Sequence, residues 1–179
     1  MAGVFVIVGP SGAGKDTLME SAQARLPGVH LVRRVITRPE AAGGEDFEGV
    51  TRHEFKRRCT AGGFALHWQA HGLSYGIPVN VADVLGSGRT VLFNGSRTML
   101  TEAARVFPDP HVIHVIARRD VLATRLAARG RESVDDVKKR LDRAELPLPD
   151  GLNITTIDNS GALEAAVQKV LDVLQPVRA

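Results

Sequence analysis

Gly9, Pro10, Ser11, Gly12, Ala13, Gly14, Lys15, Asp16 and Thr17 form a run whose residue types and spacing suit the holding of phosphate. Glycines spaced as Gly9-x4-Gly14 let backbone N–H groups turn inward around a β-phosphate. Lys15 supplies a point charge to β- and γ-phosphates. A helix opening at the end of the run adds the positive end of its dipole. The implied chemistry is phosphoryl transfer from a nucleoside triphosphate, with ATP the expected donor. The plain alternative is a tight strand-to-helix turn, and local context decides against it. Val4–Val8 is a continuous β-branched apolar run before the glycines, and Thr17–Leu26 has helical spacing after them.

Asp16 stands where such loops usually place Ser or Thr for Mg²⁺. Two readings compete. Asp16, with Thr17 beside it, takes part in holding the metal, or the carboxylate only caps the helix. The first is favoured, because a negative charge beside ATP is unfavourable without a cation.

The arginines offer a second chemistry. Arg34 and Arg38 flank the end of the second apolar run and are spaced to clamp an anionic acceptor with their guanidinium forks. Arg129 and Arg131, separated by one glycine between two helical stretches, suit a small basic lid over about 129–134. Arg140 and Arg143 lie three apart, on one helical face. Arginines closing over a transferred phosphoryl stabilise its charge. Any one of them alone is equally well read as a solvated surface group.

The elements that must position these groups follow from periodicity. Val4–Val8, Leu31–Ile36, Thr90–Phe93, His111–Ala117 and Asn153–Ile157 read as buried strands. Thr17–Leu26, Val79–Leu85, Arg97–Val106, Arg119–Arg129, Val134–Ala144 and Leu163–Leu174 read as helices. Alternation of this kind predicts an α/β fold with a parallel sheet flanked by helices. Residues 37–50 read as an exposed loop. Thr51 with Glu54 resembles a capping box for a helix to about Ala61. Phe64–Ala70 and Leu73–Tyr75 read as a hairpin around His71-Gly72, a turn or positioning pair rather than a catalytic base. The stretch from about 37 to 76 breaks the alternation, as an insertion over the carboxyl edge of the sheet, where ligands of open α/β sheets bind.

Composition sets the remaining bounds. The chain has 179 residues and a formal net charge of +3, enough for one domain with a sizeable core (core 1–36 and 77–179, with the insertion between). One Trp and one Tyr with scattered arginines do not suit nucleic-acid binding. Small anionic substrates fit better. Cys59 is the only cysteine, so no intramolecular disulfide forms. The N-terminal apolar run is too short for a signal segment or a membrane span, and a cytoplasmic protein is expected. Oligomeric state is not legible.

In order and over nearly the whole chain, several strings resemble the guanylate kinase family. They are Gly9–Lys15, Thr37-Arg38-Pro39, Gly44-Glu45, His71-Gly72 with Tyr75-Gly76, and the Arg125–Arg131 and Arg140–Arg143 segments. More closely, the chain is similar to the ribose 1,5-bisphosphate phosphokinase branch of phosphonate metabolism. That match rests on Lys15-Asp16, Ile36-Thr-Arg38, Ala65-Leu-His-Trp68, His71-Gly-Leu73, Asn94-Gly-Ser-Arg97 and Arg129-Gly-Arg-Glu132. Phe47 departs from the branch, which tends to carry a small polar residue or His there.

The resemblance implies a P-loop NTPase fold with ATP and Mg²⁺ as cofactors. It implies transfer of the γ-phosphoryl to the 1-phosphate of ribose 1,5-bisphosphate, giving 5-phospho-α-D-ribosyl 1-diphosphate. Lys15, Arg38, Arg129, Arg131 and Arg140 would be catalytic. Arg34, Arg38, Glu45, Gln69, Tyr75 and Asn94 would bind the acceptor, and Asn159 would face adenine. The alternatives are a kinase for GMP and a non-catalytic binding module. Guanylate kinases typically hold guanine with a glutamate, a Ser or Thr and an acidic residue, where this chain has Gln69, Ile77 and Asn94. A site lacking buried polar partners rejects the ligand that needs them, so a base-free sugar phosphate is the expected acceptor.

Overall fold

The computed structural model describes residues 3–42, 45–128 and 147–175. Five strands make a parallel sheet: β1 (Val4–Val8), β2 (Val29–Leu31), β7 (Thr90–Asn94), β8 (His111–Ile116) and β9 (Asn153–Asp158). Their order is β2-β7-β1-β8-β9. The helices around it are α1 (Lys15–Arg25), α3 (Val81–Gly86), α4 (Leu100–Val106), α5 (Arg119–Ala128) and α6 (Leu163–Leu174). The expected Val134–Ala144 helix lies outside the described residues.

The central strand β1 is buried on both faces, so it is apolar throughout rather than alternating, whereas the edge strand β9 is largely polar. Successive residues still serve opposite cores. Phe5 and Ile7 of β1 join Leu18, Met19, Val167 and Val170 of α1 and α6. Val4, Val6 and Val8 join Phe93, Met99, Leu100 and Phe107 on the other side.

A second sheet, ordered β4-β3-β6-β5, comprises β3 (Arg34–Ile36), β4 (Phe47–Gly49), β5 (Phe64–Ala70) and β6 (Leu73–Pro78). Two expectations are corrected here. Leu31–Ile36 is not one strand: Val32 N–H ends the pairing with β7 by donating to Leu92 O at 2.9 Å, and β3 starts two residues later in the other sheet. Residues 37–50 are not all loop, because Phe47 is 2% exposed and anchors β4, paired in parallel with β3.

Helix α2 (Arg52–Thr60) opens as expected, with Thr51 Oγ1 accepting from Glu54 N–H at 3.1 Å. The β5–β6 hairpin turns through His71 (φ 53°) and Gly72 (φ 74°), two successive left-handed residues of the kind that match strand twist. Among the described residues, no helix is long and apolar enough to cross a membrane.

Candidate active site

The loop after β1 is built against its neighbours. A Cβ at Gly9 would lie 2.2 Å from the carbonyl oxygen of Val115 on β8, so only glycine lets the chain pass there. Gly14 opens α1 at φ 87°, a left-handed conformation that glycine adopts without strain. The first N–H groups of α1 have no acceptor within the helix, and they face the loop where an anion is favoured. Lys15 Nζ arches back across the loop, donating to the carbonyls of Gly9 at 2.9 Å and Pro10 at 3.0 Å.

The loop is braced from behind. Asn159 follows β9, is 2% exposed, and donates from Nδ2 to Ala13 O at 2.7 Å. Arg125 on α5 donates to Gly12 O at 3.3 Å and Asn159 O at 2.9 Å. Asn159, expected to face adenine, has its Nδ2 turned to the loop, while its buried Oδ1 has no hydrogen-bond partner among the described residues. Arg125 carries no role in the sequence reading. It lies in the same helical stripe as the buried Leu122 and Leu126, and a charge inside an apolar stripe is the signal that marks it.

Asp16 and Asn94 meet in front of the loop. Asn94 ends β7, is 9% exposed, and donates from Nδ2 to Asp16 Oδ1 at 3.1 Å. Thr17, the other candidate metal group, is exposed on α1.

The remaining acceptor candidates gather on one face of the second sheet, with one exception. Arg34 is 5% exposed and forms a two-pronged pair with Glu45: Nε donates to Oε2 at 2.9 Å, and Nη2 donates to Oε1. Its guanidinium lies 5.0 Å from the Tyr75 ring centre and 5.8 Å from that of Trp68. Those two rings stack at 5.3 Å across the β5–β6 pair. Arg38 lies 4.4 Å over Phe47. Burial pushes the Tyr75 phenol above its ordinary value, with the Arg34 and Arg38 charges pulling against it.

Two expectations change. Arg34 does not project as an open fork, because Glu45 occupies it. Gln69 is exposed and points away: along β5, Leu66 and Trp68 are buried while His67 and Gln69 alternate to the other face. The inward positions beside Tyr75 are Leu66, Trp68 and Ile77, which sequence reasoning did not single out as a set. They carry no ionised acceptor for a base. Arg129, Arg131 and Arg140 lie outside the described residues.

A cleft of about 300 Å³ joins the two halves, lined by Asp16 and Asn94 on one side and by Arg33, Glu45 and Asp46 on the other. The lining is predominantly acidic, with carboxylates from Asp16, Glu20, Glu45 and Asp46 and one cation from Arg33.

Comparison with known proteins agrees with this layout. The sequence model for guanylate kinase matches residues 1–176. A ribose 1,5-bisphosphate phosphokinase of Agrobacterium fabrum is 51% identical over 175 residues, covering 96% of this chain and 96% of that protein. The chain belongs to the guanylate kinase family, within its ribose 1,5-bisphosphate phosphokinase branch. A second member of that branch, from Ruegeria sp., is 49% identical over 98% of this chain and 93% of its own length. The solved guanylate kinase of Anaplasma phagocytophilum shares the family fold with a TM-score of 0.71, at 20% identity over 97% of this chain and 84% of that one.

Proposed function

We propose that this chain transfers the γ-phosphoryl of ATP to the 1-phosphate of ribose 1,5-bisphosphate, giving ADP and 5-phospho-α-D-ribosyl 1-diphosphate. The observation that carries the proposal is near-full-length similarity to relatives named for this activity, in a chain whose phosphate loop is intact. The inward face of the second sheet supports the acceptor. Leu66, Trp68 and Ile77 offer no acceptor to the N1–H and N2–H edge of guanine, while Arg38 and Tyr75 lie beside them for a phosphate.

In this reading a 1-phosphate oxygen attacks the γ-phosphorus, the bond to the β–γ bridging oxygen breaks, and ADP leaves. A phosphate with a second pKa near 6 is largely ionised at neutral pH, so no strong base is needed. Catalysis then rests on alignment and charge neutralisation. Lys15 and the loop N–H groups hold the donor. Arg125 and Asn159 keep that loop in shape from behind. Arg38 and Tyr75 hold the acceptor phosphate. The Arg34–Glu45 pair fixes the wall on which Tyr75 stacks. The sequence-based roles of Arg129, Arg131 and Arg140 over the γ-phosphate stand as part of the proposal.

Mg²⁺ fits the residues present. The Asp16 carboxylate and the Thr17 hydroxyl are hard oxygen donors suited to it. Among the described residues no group of three or more His, Cys, Asp or Glu stands ready for a metal, so phosphate oxygens would complete its shell. The ion would neutralise charge between the β- and γ-phosphates.

The test is ADP release with ATP and, in turn, ribose 1,5-bisphosphate, GMP and no acceptor. Turnover that depends on the sugar bisphosphate is expected. Turnover with GMP and none with the sugar would overturn the reading, and ATP binding without turnover on either would point to a binding module.

A further inference from the structure

The chain departs from the guanylate kinase pattern at two positions that the fold brings into contact. Asp16 replaces the usual Ser or Thr after the loop lysine, and Asn94 replaces the usual acidic residue at the end of its strand. They are 78 residues apart in sequence, and Asn94 Nδ2 donates to Asp16 Oδ1 at 3.1 Å. We propose that these are one coupled exchange, in which the carboxylate of the pair has moved from the strand end to the loop and Asn94 is the positioning residue that aims it. The amide holds one oxygen of Asp16 and leaves the other to the cation that accompanies the donor phosphates. This rests on the reading above in which Asp16 takes part in holding Mg²⁺.

Asn94 is suited to aiming because it is itself fixed. It pairs with Ile7 in the sheet. The next residue, Gly95, donates its N–H to Ile7 O at 2.8 Å. Gly95 also packs so closely on β1 that a Cβ there would lie 2.6 Å from Val6 Cγ1. The chemistry at 94 is equally constrained. With Asp at 16, an aspartate at 94 would bring two carboxylates to within hydrogen-bonding distance, where like charges cannot both stay ionised cheaply. An asparagine supplies a donor instead. The arrangement seen here puts the anion beside the loop lysine and the donor at the strand end. Outer groups that orient a ligating carboxylate typically change metal affinity about 10–100-fold when removed.

The test is Mn²⁺ binding to the protein–ADP complex, read by electron paramagnetic resonance without acceptor and without turnover. N94A and D16N should each weaken Mn²⁺ binding about 10-fold. The double variant N94A/D16N should be no worse than D16N, since the two act as one. The exchange D16N/N94D keeps a donor–acceptor contact and should keep the melting temperature, yet leave Mn²⁺ binding weak. N94S, whose shorter side chain cannot reach Asp16, replaces N94A if that variant does not fold. Wild-type Mn²⁺ affinity in N94A or N94S, additive losses in the double variant, or recovery in D16N/N94D would each overturn the proposal. Product formation from ribose 1,5-bisphosphate by the unmodified protein is scored separately, so failure of the acceptor assignment is not confused with failure of this pairing.

Discussion

Lys15 and Glu45 are charged groups that ask different things of their surroundings. In the proposed reaction Lys15 works on a phosphate, so Lys15→Ala should lower turnover by roughly 10²–10³, as loss of one preorganised electrostatic donor does, with little change in melting temperature. Steady-state assay beside thermal unfolding checks both halves. Glu45 works on Arg34. Removing it leaves a nearly buried guanidinium unpaired, and breaking such a pair costs about 3–5 kcal/mol. Glu45→Ala should therefore shift the urea midpoint strongly. Asp46→Ala should cost at most about 1 kcal/mol, because the Arg33–Asp46 pair at 2.9 Å is exposed on both sides. Equal losses in the two variants would contradict the assignment. The tight strand-to-helix turn at 9–15 was legible because glycines at that spacing mark positions where the backbone turns left-handed or passes close to a neighbour. The fates of Arg34 and Asn159 were not, since sequence shows what a side chain can bond and not which partner the fold delivers first.

Helix and strand boundaries show where local pattern suffices and where it does not. The cap of α2 was readable because Thr51 and Glu54 act within one turn. Thr51→Ala should cost about 1 kcal/mol of stability, measured by chemical denaturation, and Thr51→Ser should recover most of it. The β5–β6 hairpin was readable for the same reason, since His71-Gly72 specifies its own turn. The break between β2 and β3 was not. Leu31–Ile36 has no glycine or proline, and the break comes from Val32 bonding across to Leu92 while Arg34 is drawn into the other sheet by Glu45 and the two aromatic rings. Gln69 was misplaced by the same kind of gap: alternation along β5 fixes which residues share a face, and only packing on α4 decides which face is inward.

The whole molecule should answer to pH through three half-buried histidines. Burial lowers His30, His111 and His114 below their ordinary value of 6.5, with Arg89 adding to the effect at His30 and Arg97 at His114. The unfolded chain then takes up protons before the folded one does. Stability is full above about pH 6.5 and falls as pH drops through that value towards the folded-state pKa values. A melting temperature that is flat from pH 8 to 7 and declines below 6.5 is expected, with a shallower decline in His114→Gln. A melting temperature that climbs on acidification would contradict it. At this scale the parallel sheet and its helices were legible from alternation alone, while the second sheet was visible only as a disturbance of that rhythm, because its strands are three to seven residues long and pair out of sequence order. Its strands nonetheless all fall between Arg34 and Pro78, joined to the parallel sheet by Val32-Arg33 on one side and the short run into α3 on the other. That arrangement has a consequence for descent. On the proposed reading, a lineage can change what receives the phosphoryl group by rewriting one unbroken stretch of the gene, while the part that handles ATP is inherited intact. Asn94, outside that stretch but touching Asp16, is the position where such a rewriting would have to reach back.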